Sequence, residues 1–386
     1  MRHYLIYLLL FLVVIAQLLN GVYALEITIT NYALYARAAI FCLLIFLCLC
    51  FKDAVWVVML FLLALSASLV NFIISDAEDV HKLLGNLYFI SKIIYPICFL
   101  GVSAYIHRFL GINDKIHGMR FLNAYVWALP LLSIIALVFV VESARTYDAS
   151  YRFGYKGVIA TQNEVAITFL FLVMYAVSLK QPIQKSVLFF LCLVGLVVSG
   201  TKAAAGVFVL SGLLFVWKSF YNKFFLSCLI LLIPLSMFVF ADEIYLTLSN
   251  MIDYTVHQQE RTNSLFSALV SGRDIQLMEV LSSTDVGLYQ ALLVGGVVSY
   301  DLTTELDFFD LVLFCGVPFS LLYLFVMSKF AVELRHFQYK IFFFSILIVL
   351  MSFGGHVIYA VSSFEILFVL TVLLYEKNFK ESAAFS

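Results

Sequence analysis

Long apolar runs, separated by short polar segments, cover most of this sequence. A helix that crosses a bilayer needs about 20 mostly apolar residues, so each run predicts a membrane-spanning α-helix. The seventh and eighth runs are short and are joined by a tight turn at Ser199-Gly200-Thr201-Lys202. The predicted spans are 4–24, 34–51, 54–74, 86–106, 122–141, 163–179, 186–200, 203–218, 224–241, 308–328, 340–355 and 359–376. We therefore expect an all-α polytopic membrane protein with about 12 transmembrane helices, forming a single integral domain over residues 1–386.

Composition and charge placement support this interpretation and orient the chain. Hydrophobic residues make up 64% of the sequence, charged residues only 12%, and the mean hydropathy is +1.04. Soluble domains are about a quarter charged. With a cytoplasmic N-terminus, most lysines and arginines fall in cytoplasmic segments, as the positive-inside rule requires. We expect both termini to be cytoplasmic, and no segment is basic enough to indicate nucleic-acid binding.

Two loops on the predicted outer side, 142–162 and 242–307, collect Arg, Lys, Asp and Glu residues. The second loop is too long for a plain connection between helices. Its stretch from Asp274 to Val294 has apolar residues at helical spacing, which predicts one or two short helices along the membrane surface. Mixed charge gathered on one side is typical of an enzyme that acts at a membrane face, and we expect these loops to cap its active site.

Several familiar catalytic motifs are absent from the sequence. It has no phosphate loop ending in Lys-Ser/Thr, no Gly-x-Ser-x-Gly, no His-Glu-x-x-His and no Asp-x-Asp. The seven cysteines lie in apolar runs without metal or redox spacing. The absence of a metal motif agrees with a substrate other than a nucleotide sugar, and we expect no cofactor.

Three outward cations stand beside glycine turns. Arg152 lies in Tyr-Arg-Phe-Gly, Lys202 follows Ser-Gly-Thr, and Arg273 follows Ser-Gly, while Asn163 stands at the mouth of the sixth helix. Guanidinium groups bind phosphate oxygens through paired hydrogen bonds, and glycine lets backbone N–H groups approach an anion. Each cation by itself is also consistent with an ordinary solvated loop charge, but together they predict a pyrophosphate site.

An acidic group opens the tenth helix, in the order Thr304-Glu305-Leu306-Asp307-Phe308-Phe309-Asp310. Asp307 and Asp310 share a helix face, and Asp307 stands where a helix cap is common. His356, after two glycines, ends the eleventh helix on the same side. Glu365 lies about two turns into the last span, where a structural role and a functional role are equally compatible with the sequence.

In this order, these landmarks resemble the O-antigen polymerase (Wzy-type) and O-antigen ligase superfamily of bacterial envelope glycosyltransferases. The matching features are Arg152-x-Gly, Asn163, Ser-Gly-Thr-Lys202, Ser-Gly-Arg273, the acidic group from Glu305 to Asp310 followed by Gly316, and Gly-His356. The resemblance implies a membrane fold related to the GT-C class, in the bacterial inner membrane. It also implies undecaprenyl-pyrophosphate-linked glycans as donor and acceptor, membrane lipid as a partner, and no metal. It leaves room for a chain-length regulator protein as a further partner.

The resemblance also ranks the candidate residues. The family often has Arg where Lys202 stands, and ligases tend to carry His-Asn where this chain has Glu305-Leu306, which favours a polymerase. Glu305 is therefore our first choice of general base and His356 the second, with Asp307 and Asp310 as further candidates. Arg261, eleven residues before Gly272, fits a loop pattern linked to some polymerases, although so short a pattern also arises by chance.

The sequence thus predicts a polymerase that joins lipid-linked oligosaccharide repeat units at the periplasmic face. The first alternative is a ligase that transfers glycan to lipid A-core. The second is a flippase or other transporter of lipid-linked sugars. Transporters more often show duplicated halves and charge in mid-membrane, whereas here the charge gathers at one face.

Overall fold

A computed structural model of the 386-residue chain describes residues 2–384, except 28–29, 51–53, 75–79, 107–109, 111–118, 147–153, 160, 220–244, 246–248, 250–251, 254, 258, 261–263, 265–266, 268–271, 283–287, 298–302, 305 and 354–355. This part of the chain folds almost entirely into α-helices. Its one β pairing is an isolated antiparallel bridge between Arg145 and Tyr155. The helices are α1 Arg2–Ala24, α2 Ala33–Leu49, α3 Ala54–Ile74, α4 Val80–Ala104, α5 Met119–Val138, α6 Gln162–Ser178, α7 Pro182–Val198, α8 Lys202–Ser219, α9 Arg273–Ser282, α10 Leu288–Leu293, α11 Asp307–Glu333, α12 Lys340–Phe353 and α13 Val361–Ala384.

The helices coincide with the apolar runs of the sequence. Among the described residues, four helices are long and apolar enough to cross a membrane, at Tyr4–Ala24, Leu83–Ala104, Arg120–Val138 and Asp307–Glu333. Shorter apolar helices fill most of the other predicted spans, and the predicted span at 224–241 lies outside the described residues. Because their side chains are apolar on most faces, these helices indicate a membrane-embedded protein.

Two helices form the centre of the bundle. Every residue of α6 from Glu164 to Ser178 and every residue of α13 from Ser362 to Tyr375 is buried. Because every residue of these two segments is covered by the rest of the protein, they form the core of the bundle rather than an outer surface. The helix α13 packs against both α6 and α4, so the segment that leads into α13 is held in the middle of the structure.

Loops meet at two separate ends of the bundle. At one end, which we call the site end, Gly21 of α1 packs against Val158, and Gly157 packs against Ser133 of α5. At the opposite end, the Tyr375 hydroxyl donates to the Leu110 carbonyl at 3.0 Å. Successive helices therefore bring different loops together at each end.

The helix α11 is interrupted near its first third. Gly316 has φ of 85° and ψ of 166°, and Pro318 follows it inside the helix. The segment after α10 packs against α11 at this interruption, because the Val297 N–H donates to the Leu313 carbonyl at 3.0 Å. The predicted short helices of the long loop are present as α9 and α10, and their position along the membrane surface stays a prediction.

Candidate functional site

The segment that precedes α6 folds onto the turn between α7 and α8. The Thr146 N–H donates to the Gly154 carbonyl at 2.8 Å, and the Tyr155 N–H donates to the Val198 carbonyl at 2.9 Å. The Thr146 hydroxyl reaches the Ser199 carbonyl at 3.0 Å. The glycine that follows Arg152 by two residues thus lies against the turn that ends at Lys202.

The predicted cation site is only partly within the described structure. Arg152 and Arg261 lie outside the described residues, and so does the side chain of Asn163, the second residue of α6. Lys202 and Arg273 are the first residues of α8 and α9, and both are half-buried. Each of the two described cations therefore stands where the sequence placed it, at a helix start after a glycine turn.

The helix α9 contacts the segment that leads into the acidic group. The Gln276 side-chain amide donates to the Thr303 carbonyl at 2.9 Å. Gln276 lies three residues after Arg273, so it shares a face of α9 with that arginine. The loop that carries Arg273 is therefore attached next to the start of α11.

The two aspartates in the first turn of α11 bind different parts of the structure. Asp310 reaches back to the segment before the helix, because its Oδ1 accepts from both the N–H and the hydroxyl of Thr304, each at 2.7 Å. Asp307 does not cap its own helix, and its Oδ2 instead accepts from the Ile358 N–H at 3.0 Å. Both aspartates are fully buried. The capping explanation of Asp307 is wrong, since this side chain joins α11 to the segment between α12 and α13.

That connecting segment carries His356 next to the acidic group. Asp307 is within electrostatic range of both His356 and Asp310. The His356 backbone has a φ of 41°, which is uncommon for a residue other than glycine, and its ring lies 5.8 Å from the Tyr359 ring. The structure therefore brings three of the four predicted catalytic candidates together, and the fourth, Glu305, lies outside the described residues.

A second polar cluster lies inside the bundle around Glu365. This carboxylate has no exposed surface. Its Oε1 accepts from Arg37 Nε at 3.2 Å and from the Tyr95 hydroxyl at 2.7 Å, and its Oε2 accepts from the Gln17 side-chain amide. The Tyr125 hydroxyl extends the cluster by donating to Gln17 Oε1 at 3.2 Å. Residues from three other helices thus satisfy this buried carboxylate, and Tyr125 brings in a fourth through Gln17.

A fourth buried carboxylate links this cluster to the loops at the site end. Glu164, in the first turn of α6, accepts from the Ser362 N–H at 3.3 Å and from the Ser362 hydroxyl. The Gln17 amide also donates to the Ser362 carbonyl at 3.0 Å. Within the ten residues from His356 to Glu365, Ile358 therefore contacts Asp307. Further along, Ser362 contacts Glu164 and Glu365 contacts Arg37.

Sequence reasoning missed Arg37, Gln17 and Tyr95. The signal for Arg37 was present, because a charged residue within an apolar span is costly unless it is paired or faces a polar cavity. The cluster also corrects the expectation that charge gathers only at one face. Arg37, Glu164 and Glu365 place charge in the interior of the helix bundle.

The acidic group can do acid–base chemistry, because it holds carboxylates and an imidazole near one another with little solvent to compete. Within the described part of the chain, no group of three His, Cys, Asp or Glu side chains is placed to hold a metal ion. Comparisons with protein-family models, curated proteins and solved structures gave no match for this chain.

Proposed function

We propose that the protein is a membrane glycosyltransferase that lengthens a glycan carried on undecaprenyl pyrophosphate, as an O-antigen polymerase does. The observation that carries the proposal is the chain of contacts at the site end. Gly154 lies against Ser199, Glu164 binds Ser362, and Asp307 binds Ile358. These contacts attach the loops that bear Arg152 and Lys202 to the segment that bears His356.

The proposed reaction needs two kinds of group, cations that bind pyrophosphate and a base that accepts a proton. The acceptor hydroxyl attacks the anomeric carbon of the donor sugar, a new C–O bond forms, and the bond from that carbon to the pyrophosphate oxygen breaks. Negative charge develops on the departing pyrophosphate, and cations placed in advance stabilise it. The hydroxyl proton passes to a carboxylate or an imidazole. In this proposal Arg152, Lys202 and Arg273 bind the pyrophosphate, and the acidic group with His356 supplies the base.

The proposal includes a topology. Twelve spans, with the ninth at 224–241, place both termini in the cytoplasm and the site end in the periplasm of a bacterial inner membrane. The segments 142–162 and 242–307 then cover the site from the periplasmic side. A fold related to the GT-C class is part of the same proposal.

The deciding experiment is deletion of the gene, followed by analysis of lipopolysaccharide and of lipid-linked glycans. Loss of a polymerase leaves single repeat units on the lipid A-core. Loss of a ligase leaves bare core together with undecaprenyl-linked polymer. Restoration of long chains by the wild-type gene would support the polymerase, and unchanged long chains in the deletion strain would contradict it.

The Glu365 cluster favours a second candidate, a transporter of lipid-linked sugars. Ionisable residues inside a membrane bundle often mark substrate or proton pathways. In this case the deletion strain would keep its lipid-linked repeat units in the cytoplasmic leaflet. It would make neither polymer nor lipid A-core that carries a single repeat unit. The distribution of the lipid-linked unit between the two leaflets therefore separates this function from a polymerase.

A further inference from the structure

Three buried polar atoms near the acidic group have no hydrogen-bond partner among the described residues. They are Oδ1 of Asp307, the hydroxyl oxygen of Tyr359 and Oδ1 of Asn86. Buried polar groups in folded proteins nearly always have partners, so unpartnered ones call for an explanation. Unpartnered polar atoms on neighbouring residues indicate a polar space that a ligand or water enters.

The residues that carry these atoms are linked to one another through shared neighbours. The second oxygen of Asp307 holds the Ile358 N–H at 3.0 Å, and Tyr359 is the next residue. The Tyr359 ring lies 5.3 Å from the Phe89 ring of α4. Asn86 lies three residues before Phe89 and therefore on the same face of that helix. The atoms thus come from α4, α11 and the segment before α13.

The surroundings select the kind of ligand. The Phe89 and His356 rings both pack near the Tyr359 ring, and aromatic rings are good partners for the apolar face of a sugar. Asp307 and Asp310 are both buried here, so an anionic ligand would be repelled. A neutral group that donates a hydrogen bond to a carboxylate oxygen fits best.

We propose that this space binds one sugar hydroxyl, which donates to Oδ1 of Asp307 and accepts from the Tyr359 hydroxyl. The inference rests on the proposed function, in which this hydroxyl is the attacking group of the acceptor glycan. Its proton passes to Oδ1 of Asp307 as its oxygen bonds to the anomeric carbon and the pyrophosphate leaves. Asp307 then replaces Glu305 as the base, and Asn86 contacts the same sugar ring.

Two conservative substitutions test the site with little change in shape. Asp307→Asn keeps an oxygen for the Ile358 N–H but puts an NH₂ group where the unpartnered oxygen stands. Tyr359→Phe removes only the hydroxyl. Tyr323→Phe is the matched control, because the Tyr323 hydroxyl is also buried but donates to the Ile93 carbonyl at 3.2 Å.

The assay uses the purified full-length chain in lipid nanodiscs with undecaprenyl-pyrophosphate-linked glycan extracted from the deletion strain. We expect Asp307→Asn to lower kcat by about 100-fold or more, with KM nearly unchanged, as for loss of a general base. We expect Tyr359→Phe to raise KM for the acceptor by about tenfold, and Tyr323→Phe to leave both constants close to wild type. The thermal midpoint should stay level or rise in Tyr359→Phe and fall in Tyr323→Phe, because only the second loses a hydrogen bond.

Each outcome decides a separate point. If the wild-type protein does not lengthen the lipid-linked glycan, the proposed function fails. If the wild type is active and both site variants match it, the hydroxyl site is wrong while the function stands. If Tyr359→Phe melts as far below wild type as Tyr323→Phe does, the Tyr359 hydroxyl is bonded within the protein and the site is again wrong. Normal kinetics with an unchanged or raised midpoint would show that only water fills the space.

Discussion

The Arg37 guanidinium on the second helix donates to the Glu365 carboxylate on the last helix at 3.2 Å, although 328 residues separate them in the sequence. The Glu365 side chain has no exposed surface and that of Arg37 is 16% exposed. A buried ion pair is weak evidence for stability, because both charges lose their water. Loss of one partner alone, however, leaves the other charge buried without compensation.

We predict that Arg37→Met destabilises the protein by about 3–5 kcal/mol, since it leaves Glu365 charged and buried. Arg37→Met combined with Glu365→Gln should recover most of that loss, because the amide is neutral and still accepts from Tyr95. Equilibrium unfolding in mixed detergent micelles measures the free energy of unfolding of the single and the double variant. The exposed pair of Arg335 and Glu333, 3.3 Å apart, is the control, and Arg335→Met should cost less than about 1 kcal/mol. Equal losses at the two sites would contradict this account of the interior pair.

We predict that Gly154→Ala loosens the loop that carries Arg152. A Cβ atom at this position would lie 2.2 Å from the Ser199 carbonyl oxygen, so the backbone of the loop or of the α7–α8 turn has to move. Overpacking of this kind costs about 1–3 kcal/mol. The rate of protease cleavage within 142–162 measures the effect, and we expect this rate to rise. Gly206→Ala in α8 is the control, because a Cβ there meets nothing within 4 Å, and a cleavage rate equal to that of Gly154→Ala would refute the prediction.

We predict that Gly316→Ala separates α10 from α11. Gly316 has a φ of 85°, and an added Cβ would lie 2.4 Å from the Leu293 carbonyl oxygen. This backbone conformation is nearly restricted to glycine and costs a residue with a side chain about 1–3 kcal/mol before the clash is counted. A single cysteine placed at Val297, which is buried against α11, should react faster with a soluble maleimide in this variant than in the parent. Gly212→Ala, again in open space, should leave the rate unchanged.

We predict that Arg152→Ala and Arg273→Ala each lower polymer formation on the order of a thousandfold, through loss of charge stabilisation on the leaving pyrophosphate. Lysine should restore little at either position, because it lacks the planar fork of arginine. Polymer length and amount on gels, at matched protein levels, measure the effect. Arg335→Ala, at the opposite end of the bundle, is the control. Near-normal polymer from both alanine variants would remove these residues from the pyrophosphate site.

We predict that the site end faces the periplasm. In a variant without native cysteines, single cysteines at Tyr151 and Thr284 should react with an impermeant reagent in intact cells. Cysteines at Lys115 and His336 should react only after the cells are permeabilised. Reaction at Lys115 from outside would reverse the proposed topology and with it the assignment of the two charged loops.

The sequence by itself determined the helices, because a bilayer-spanning segment is set by local composition. The apolar runs coincide with the described helices to within a few residues at most ends, and the helical spacing after Asp274 marked α9. Glycine turns likewise placed Lys202 and Arg273 at helix starts. Such features depend only on neighbouring residues, so no knowledge of packing was needed.

Only the tertiary structure decided which distant side chains meet. Asp307 and Asp310 are three residues apart and look equivalent in the sequence, yet one binds Ile358 across a loop and the other binds Thr304 just before its own helix. Arg37 and Glu365 are each isolated within apolar runs, and neither run indicates its partner. Their pairing follows from how α2 and α13 are arranged around α4, which is a property of the whole bundle and leaves no local pattern in the sequence.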